Sequence, residues 1–487
     1  MELKLFYKSF IILILAFFVQ LIISLYLNNF HFAYALDDPY IHMAIAKNFA
    51  IHGVWGVTKF EFTSSSSSIL YTLIISFFYF IGLKSVIIPL ILNILSLAFF
   101  IYALNTILKY LKIDDKLIFP LLITLGLLTP VVALMLTGME HIFHISLTIL
   151  LLTSILKYLK RHKKDDLITS SLYIILAVGV RFETLFIVFA ISLILLFKKD
   201  YKALSFIAIS SILPLSIFGI ISLSNGAYFL PNTLLIKGII PEHNIISIFN
   251  QSILWIKRAI TYPHLLSSIL MCILGITYSL KSNNKKLLYL STIIFITWTL
   301  HLTFAGVGWF YRYEAYLVVS SMIILAKIYN DIKLNTVQFW TLKKFSIIII
   351  ILILPLSYRL ASSLYKSSYA IQNIYNQQVQ MATYISKKGY KSVILNDIGA
   401  VCYYNDIQTI DVLGLGTNEI VDAIKNKKFN QQFLINLSKK KKSDAAFLYK
   451  NILNFDLPQN WQLIDSIKIK NNVVCWDNVV YVYSVKP

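Results

Sequence analysis

Asp37 and Asp38 are consecutive carboxylates that follow the first long apolar stretch of the chain and directly precede Pro39. Two neighbouring carboxylates disfavour each other's charged form, especially beside an apolar surface. One of them is then suited to accept a proton from a hydroxyl group that is about to react. The pair is therefore the first candidate for a catalytic centre, with general base as its role.

The residues after this pair predict a short helix. Asp38 and Pro39 are typical of the N-cap and the first position of a helix. Apolar residues then recur at helical spacing, at Ile41, Ala44, Ile45 and Phe49. This pattern favours a helix that lies along a membrane surface. A cap needs only one aspartate, so we assign Asp38 to the cap and Asp37 to the base.

His42 and Glu140 are further ionisable residues that border apolar sequence. His42 lies one helical turn after Asp38. It is either a ligand for a metal ion or a phosphate, or an ordinary histidine on the polar face of the helix. Glu140 lies between two apolar runs and is followed by His141 and His144. These three residues either mark the membrane interface or form a metal site.

Two arginines are each followed closely by a glutamate. Arg181 precedes Glu183, and Arg312 precedes Glu314. Such pairs are commonly structural when they lie at membrane depth. Arginine also presents a planar fork of N–H donors that fits a phosphate. Together with Lys237, the two arginines are candidates for binding an anion next to the carboxylate pair.

The composition places these residues in a membrane protein. The chain has 487 residues, of which 57% are hydrophobic and 14% charged, and its mean hydropathy is +0.71. Soluble globular proteins do not carry so much apolar sequence. The net charge of +21 comes largely from lysines between apolar runs. This distribution indicates membrane topology and contact with the lipid bilayer, and no nucleic-acid partner.

Apolar runs organise the first three quarters of the chain. Twelve runs occur, at residues 9–28, 67–83, 88–108, 116–136, 141–158, 167–180, 183–197, 203–222, 263–280, 287–305, 314–328 and 345–361. The first is long enough to be an uncleaved span. The basic connections all fall on the cytoplasmic side, with the N-terminus, only if the run at 67–83 does not cross. We therefore predict a mainly α, polytopic helical bundle over residues 1–362, with about eleven spans plus interfacial or re-entrant helices.

This topology places the ionisable residues described above on the extracytoplasmic side. The segments on that side are 29–66, 137–140, 181–183, 223–262 and 309–314. Ionisable residues at span ends are energetically costly and usually functional. Their location on one side predicts a single extracytoplasmic site.

The polar tail, residues 363–487, predicts a small extracytoplasmic α/β domain. Strands are expected over 391–396, 445–449 and 472–485, and a helix over 418–427. Gly414-Leu415-Gly416 lacks the third glycine of a dinucleotide fingerprint, and the tail has no P-loop. No nucleotide-binding role is indicated.

Several motifs resemble those of the GT-C superfamily of membrane glycosyltransferases, most closely the bacterial branch that includes the terminal arabinofuranosyltransferase and uncharacterised relatives. They are Leu36 to His42 with Ala46 to Ala50 and Gly53, Thr137-Gly138-Met139-Glu140, Leu230-Pro231-Asn232-Thr233 with Lys237, Arg312-Tyr313-Glu314, and Asp397 to Ala400 with Asp411 to Leu415. The match touches most of the chain. It departs from the branch where Thr63 is followed by five serines, so the resemblance does not fix the geometry of that segment.

The resemblance implies an inverting transfer of a sugar from a polyprenyl-phosphate donor to a hydroxyl of a glycan, lipid or protein acceptor. In that reaction Asp37 or Asp38 is the general base, and Arg312, Lys237 and Arg181 bind the donor phosphate. Other residues expected to line the site are His42, Glu140, Glu183, Asn232, Tyr311 and Glu314. The implied location is the bacterial cytoplasmic (inner) membrane, with the C-terminal domain periplasmic or extracellular.

The alternatives concern the cofactor and the class of protein. Relatives differ in metal use, and this chain has no clear metal-ligand set. No cofactor is therefore assigned, and use of a divalent metal is left as an alternative.

A transporter or flippase for lipid-linked glycans is a second hypothesis for the function, but transporters often carry internal repeats and charges at mid-span. A glycan polymerase or ligase is a third, and it would concentrate basic groups in an outer loop larger than 223–262.

Overall fold

The computed structural model describes residues 2–237, 253–254, 256–334 and 341–485, which form a helical bundle and a small C-terminal sheet. The bundle helices are α1 (Glu2–Leu27), α2 (Asp38–His52), α3 (Ile69–Phe80), α4 (Ile88–Tyr110), α5 (Asp115–Leu128), α6 (Val131–Leu136), α7 (His141–Arg161), α8 (Lys164–Val180), α9 (Thr184–Phe197), α10 (Tyr201–Ser224), α11 (Asn232–Lys237), α12 (Pro263–Lys281), α13 (Lys285–Phe304), α14 (Ala315–Lys333) and α15 (Leu342–Ile374). A 3-10 turn, Trp309–Tyr311, precedes α14.

Local sequence signals set several of these boundaries. Ser68, the last of the five serines, caps α3 because its side chain accepts a hydrogen bond from the backbone N–H of Tyr71. Asp200 caps α10 in the same way. Helix α2 ends at Gly53, whose positive φ of 68° suits glycine.

Within the described ranges, eight helices are long and apolar enough to cross a membrane, judged by length and composition. They are α1, α4, α7, α10, α12, α13, α14 and the long helix that begins with α15. The run at 67–83 forms α3, which has only 12 residues. At 1.5 Å per residue this helix is about 18 Å long, well short of a hydrocarbon core of about 30 Å. Its length therefore agrees with the expectation that this run does not cross.

Three other predicted spans are short or divided. The run at 116–136 forms two helices, α5 and α6, on either side of Thr129 and Pro130. Helix α8 has 17 residues and α9 has 14. A total of eleven spans requires all three of these segments to cross in addition to the eight long helices, so that number remains a prediction.

The segments predicted to be extracytoplasmic contact one another. The backbone N–H of Asn232 donates to the carbonyl oxygen of Ser64 at 2.9 Å. Arg181 forms an ion pair with Glu140 at 2.9 Å. The first outer loop, the 137–140 turn, the 181–183 turn and the loop before α11 therefore share one end of the bundle.

The segments predicted to be cytoplasmic also contact one another. The backbone N–H of Asp114 donates to Asn330 at 2.8 Å. The hydroxyl of Tyr158 donates to Asp200 at 2.7 Å. The structure thus separates the connections into the same two sets as the charge pattern does.

Cysteine labelling with a membrane-impermeant reagent tests this sidedness, in a Cys475→Ser background where the other native cysteines are buried. We expect cysteines at the exposed positions His52 and Lys450 to react from outside intact cells. Cysteines at Lys163 and Lys285, exposed in the other set of connections, should react only after permeabilisation. Reaction of all four positions from the same side would contradict the topology.

The tail forms a five-stranded sheet with the strand order β2-β1-β3-β5-β4. Its elements are α16 (Gln380–Lys388), β1 (Ser392–Leu395), α17 (Gly399–Tyr404), β2 (Gln408–Asp411), α18 (Asn418–Lys425), α19 (Gln431–Lys440), β3 (Ala445–Tyr449), β4 (Gln462–Lys468) and β5 (Val479–Ser484). Strand β1 pairs in parallel with β2 and β3, whereas β5 runs antiparallel to β3 and β4.

The predicted elements of the tail are confirmed in part. The strands over 391–396 and 445–449 and the helix over 418–427 are present, but the strand over 472–485 begins only at Val479. Strands β2 and β4 were not predicted. The predicted boundary after residue 362 falls inside α15, which continues through a π-helical turn into α16. The first strand of the sheet, β1, therefore comes well after the predicted domain boundary.

Helix α2 differs from the prediction of a helix that lies along the membrane. Ile41, Ala44 and Ile45 are buried in a hydrophobic cluster with Val393 and Val401 of the C-terminal domain. Helix α3 packs against another side of α2. The apolar face of α2 is covered by a domain that lies far away in sequence, which is why its local pattern gave the wrong environment.

Candidate active site

A cavity of about 480 Å³ lies among the connections that the sequence predicts to be extracytoplasmic, and we call it the outer cavity. Its charged and polar lining consists of Asp38, His42, Ser65, Ser67, Arg181, Glu183, Thr233, Arg312 and Tyr313. Leu415 of the C-terminal domain completes the wall. Five of the eleven predicted site residues line this cavity: Asp38, His42, Arg181, Glu183 and Arg312.

Asp38 and Arg312 form an ion pair at the cavity wall. The Asp38 side chain is 27% exposed, while that of Arg312 is 4% exposed. The Nη2 of Arg312 makes this contact and also lies 3.3 Å from the hydroxyl of Tyr313. Its Nε and Nη1 are buried without a hydrogen-bond partner. Because unsatisfied buried donors are costly, the guanidinium is prepared to receive an anionic ligand.

Asp37 points away from the outer cavity and binds the C-terminal domain. Its two carboxylate oxygens accept hydrogen bonds from the backbone N–H groups of Gly399 and Ala400, at 2.7 and 2.8 Å. These groups open α17, so Asp37 caps a helix of the distant domain. A Cβ atom at Gly399 would lie 2.6 Å from Oδ2 of Asp37, so glycine permits this close approach.

The capping assignment made from the sequence is wrong for Asp38. Helix α2 begins at Asp38, its N-cap residue is Asp37, and the Asp37 side chain makes no cap hydrogen bond to α2. Asp37 does act as a cap, but for α17. The aspartate left at the cavity is Asp38.

The environment of Asp37 raises its pKa from 3.8 to about 8. Burial is the main cause, followed by the negative charge of Asp397, and the two backbone donors oppose the shift. Asp397 itself accepts hydrogen bonds from Gln378 at 3.0 Å and from the Tyr449 hydroxyl at 2.5 Å. The contact between the first loop and the C-terminal domain therefore contains two neighbouring carboxyl groups.

This raised pKa predicts a pH dependence for the domain contact. The folded protein holds a proton on Asp37 that the unfolded chain releases near pH 4, so this contribution to stability is complete below about pH 4 and is lost as the pH rises through about 8. We expect amide exchange at Gly399 and Ala400 to accelerate between about pH 6 and pH 9 by more than the intrinsic pH effect. Asp37→Asn should remove the excess, and an excess that persists in this variant would contradict the assignment.

Arg181 is enclosed by two carboxylates. Its Nη1 donates to Glu140 at 2.9 Å, and its Nε donates to Glu183 at 3.1 Å. A further contact joins Nη2 to Glu183. Glu140 is fully buried behind the cavity wall, whereas Glu183 is partly exposed to it. Since the donors of Arg181 serve these two glutamates, its charge is balanced within the protein, and a phosphate contact gains little from it.

His42 lies in the cavity wall between a hydroxyl and a carboxylate. Its Nδ1 is 2.7 Å from Thr72 Oγ1, and its Nε2 is 3.9 Å from Glu140 Oε2. Burial lowers the pKa of His42, against the opposing charge of Glu140. The imidazole is therefore neutral near pH 7 and contributes hydrogen bonding to the wall.

The remaining predicted site residues lie outside the cavity lining. Glu314 is buried, with His264 at 3.2 Å and the backbone N–H of Gly308 at 2.9 Å. Tyr311 lines a different cavity. The side-chain amide of Asn232 donates to the carbonyl oxygen of Leu415 at 3.2 Å. Lys237 ends α11, and its side chain lies outside the described part of the chain.

Arg359 is a buried cation that the sequence reading did not single out. It lies in α15 with a side chain only 1% exposed, and its Nη2 is 3.4 Å from Glu314. The signal was available in the sequence, because an arginine inside the apolar run at 345–361 is an ionisable group within a predicted span.

A metal site is not assembled by the residues that the structure describes. No group of three or more His, Cys, Asp or Glu side chains in those ranges is arranged to hold an ion. His144 contacts Thr184 at 2.9 Å instead of a second ligand. The donor set present does not fit a divalent metal, and no chemical step is assigned to one.

Comparison with known proteins is informative only for the tail. One family profile, described as a domain of unknown function (DUF8728), matches residues 372–483. No curated protein matches the chain. The matched range runs from the end of α15 to β5, and Leu415 is its one contribution to the outer-cavity lining among the described residues.

Proposed function

We propose that this chain is a membrane glycosyltransferase that moves a sugar from a polyprenyl-phosphate donor to a hydroxyl of an extracytoplasmic acceptor. The observation that carries the proposal is the pair formed by Asp38 and Arg312 at the wall of the outer cavity. One member is a carboxylate suited to accept a proton, and the other is a cation with two unpaired donor nitrogens, Nε and Nη1. The GT-C resemblance of the surrounding motifs supports the same reaction class.

Asp38 is the proposed base because of where its carboxylate lies. It borders the outer cavity, whereas both oxygens of Asp37 are held by backbone N–H groups of α17. A base must reach the proton that it removes within hydrogen-bond distance. This choice reverses the preference for Asp37 that was inferred from the sequence pattern.

The proposed reaction is a single inverting displacement. As the acceptor hydroxyl oxygen forms its bond to the anomeric carbon, Asp38 takes the hydroxyl proton. The bond between the anomeric carbon and the phosphate oxygen breaks on the opposite face, and its electron pair leaves with the lipid phosphate. Arg312 stabilises the charge that develops on this phosphate.

The ion pair couples the two halves of this reaction. A carboxylate bound to arginine is a weak base, because the positive charge favours its ionised form. A donor phosphate on Arg312 shares that positive charge, so Asp38 becomes a stronger proton acceptor when the donor is bound. Asp38 therefore stays ionised until the donor is bound.

The proposal assigns fewer residues to binding of the donor phosphate than the sequence predicted. Arg312 keeps the role because two of its donors are unused. Arg181 is reassigned to a structural role, because two glutamates occupy its donors. Lys237 remains a prediction.

A reconstituted assay tests the function. Purified protein in lipid nanodiscs is supplied with a panel of polyprenyl-phosphate sugars and a membrane extract as acceptor source, and release of free polyprenyl phosphate is measured. We expect release with at least one donor and only in the presence of acceptor. In sided proteoliposomes, movement of the intact lipid-linked sugar without cleavage would favour the flippase alternative and overturn the transferase.

A further inference from the structure

We propose that a second cavity, beside the outer cavity but separate from it, binds the phosphate group of a membrane lipid. This lateral cavity has a volume of about 540 Å³. It lies between the start of α12, the Trp309–Tyr311 turn and the second half of α15. The site does not depend on the proposed sugar transfer, because none of its residues serves as the base or as the outer phosphate contact.

Arg359 is the central anion-binding group of the lateral cavity. It lines the cavity from α15, and the residue as a whole, side chain and backbone together, is 2% exposed. Its Nη2 donates to the backbone carbonyl of Tyr311 at 2.5 Å. Its Nε and Nη1 are buried without a partner. Buried donors without acceptors are energetically costly, and a phosphate offers acceptors for two parallel N–H groups.

The charge around Arg359 favours an anion. Glu314, which lies outside the cavity lining, balances part of the charge of Arg359. No carboxylate is among the described residues that line the cavity. Lys366 lies two helical turns after Arg359 on the same face of α15, with Nζ 5.7 Å from the centre of the Tyr311 ring. His264 is the third basic side chain of the lining. The cavity therefore presents more positive than negative charge.

The mouth of the lateral cavity identifies the ligand as a lipid. Leu354 and Tyr358 line it and are 67% and 76% exposed. Both lie on α15, which is among the helices apolar enough to cross a membrane. Trp309 is 45% exposed at the same cavity, and tryptophan and tyrosine are enriched at membrane interfaces. A ligand that extends past these residues carries an apolar chain, while its phosphate reaches Arg359.

Binding measurements on the full-length protein in detergent test this site, with three probes: polyprenyl phosphate, phosphatidylglycerol and inorganic phosphate. We expect phosphatidylglycerol to bind the wild type, and Arg359→Gln to weaken its binding by about tenfold or more. Polyprenyl phosphate should lose affinity less, because the proposed function gives it a second contact at Arg312. Lys366→Gln should weaken phosphatidylglycerol binding by a smaller factor in the same direction. Lys343→Gln, which removes an exposed lysine near the other end of α15, serves as the matched control and should bind as the wild type does.

Different outcomes separate this proposal from the proposed function. Asp38→Asn should keep lipid-phosphate binding even where it loses transfer. Equal affinity for inorganic phosphate and for the lipids would overturn the assignment of a lipid ligand. Wild-type binding by both Arg359→Gln and Lys366→Gln would overturn the site. If Arg359→Gln does not fold, Ser362→Trp, which fills the cavity from the same helix face, replaces it and should also abolish binding.

Discussion

Asp38→Asn is expected to lower the rate of sugar transfer by about 10²- to 10⁴-fold, the contribution that a general base usually makes. Asparagine keeps an oxygen that can accept a hydrogen bond from Arg312, but it cannot take up the proton of the acceptor hydroxyl. Because the Asp38 side chain is 27% exposed, water compensates part of the lost charge and the fold should persist. The measurement is the initial rate of polyprenyl-phosphate release, with thermal unfolding followed in parallel.

Asp37→Asn is the matched control for this prediction, since the same change is made one residue earlier. It should retain most of the transfer rate and instead loosen the contact with α17, because an amide has one acceptor oxygen for the two backbone N–H groups that the two carboxyl oxygens of Asp37 accept. Full activity of both variants would exclude an aspartate base at this loop. Loss of transfer in Asp37→Asn alone, with normal stability, would restore the original choice of base.

Arg181→Gln is expected to cause the largest loss of stability among the substitutions considered. It leaves Glu140 and Glu183 without their common cation, and the Glu140 side chain has no exposed surface. Removing one partner of a buried ion pair typically costs about 3–5 kcal/mol, a large part of the roughly 5–15 kcal/mol that keeps a domain folded. The measurement is the thermal unfolding temperature in detergent.

Two comparisons make this second result specific. Lys199→Gln removes an exposed lysine at the other end of α9 and should leave the unfolding temperature within about a degree or two. Adding Glu140→Gln to Arg181→Gln should recover part of the loss, because it removes the unpaired buried charge. A folded Arg181→Gln protein that loses donor affinity would instead assign Arg181 to the phosphate.

The sequence predicted the helices and the grouping of their connections because these depend on local hydropathy and on lysine distribution. It also brought Arg312 to the same side as Asp38. It did not predict that the two side chains pair, because that contact joins residues 274 positions apart, and no local pattern encodes such a distance.

The errors at the candidate site have the same physical origin. The environment of α2 and the contacts of Asp37 with α17 were not predicted because the C-terminal domain covers that region, and its docking cannot be inferred from the first loop alone. Arg359 was missed for a different reason. A charged residue inside the apolar run at 345–361 was a visible signal in the sequence, but the structure was needed to show that Arg359 lines a cavity.

The bond between Asp37 and Gly399 spans 362 residues, and this span has a consequence for biosynthesis. At roughly 5–20 residues per second, the ribosome reaches Gly399 some 20 to 70 s after it has made Asp37. During this interval the first loop is already in place but α2 lacks its covering domain. A nascent chain that stops before Gly399 would leave apolar residues of α2 exposed that the complete protein buries, and we expect quality-control proteases to remove it.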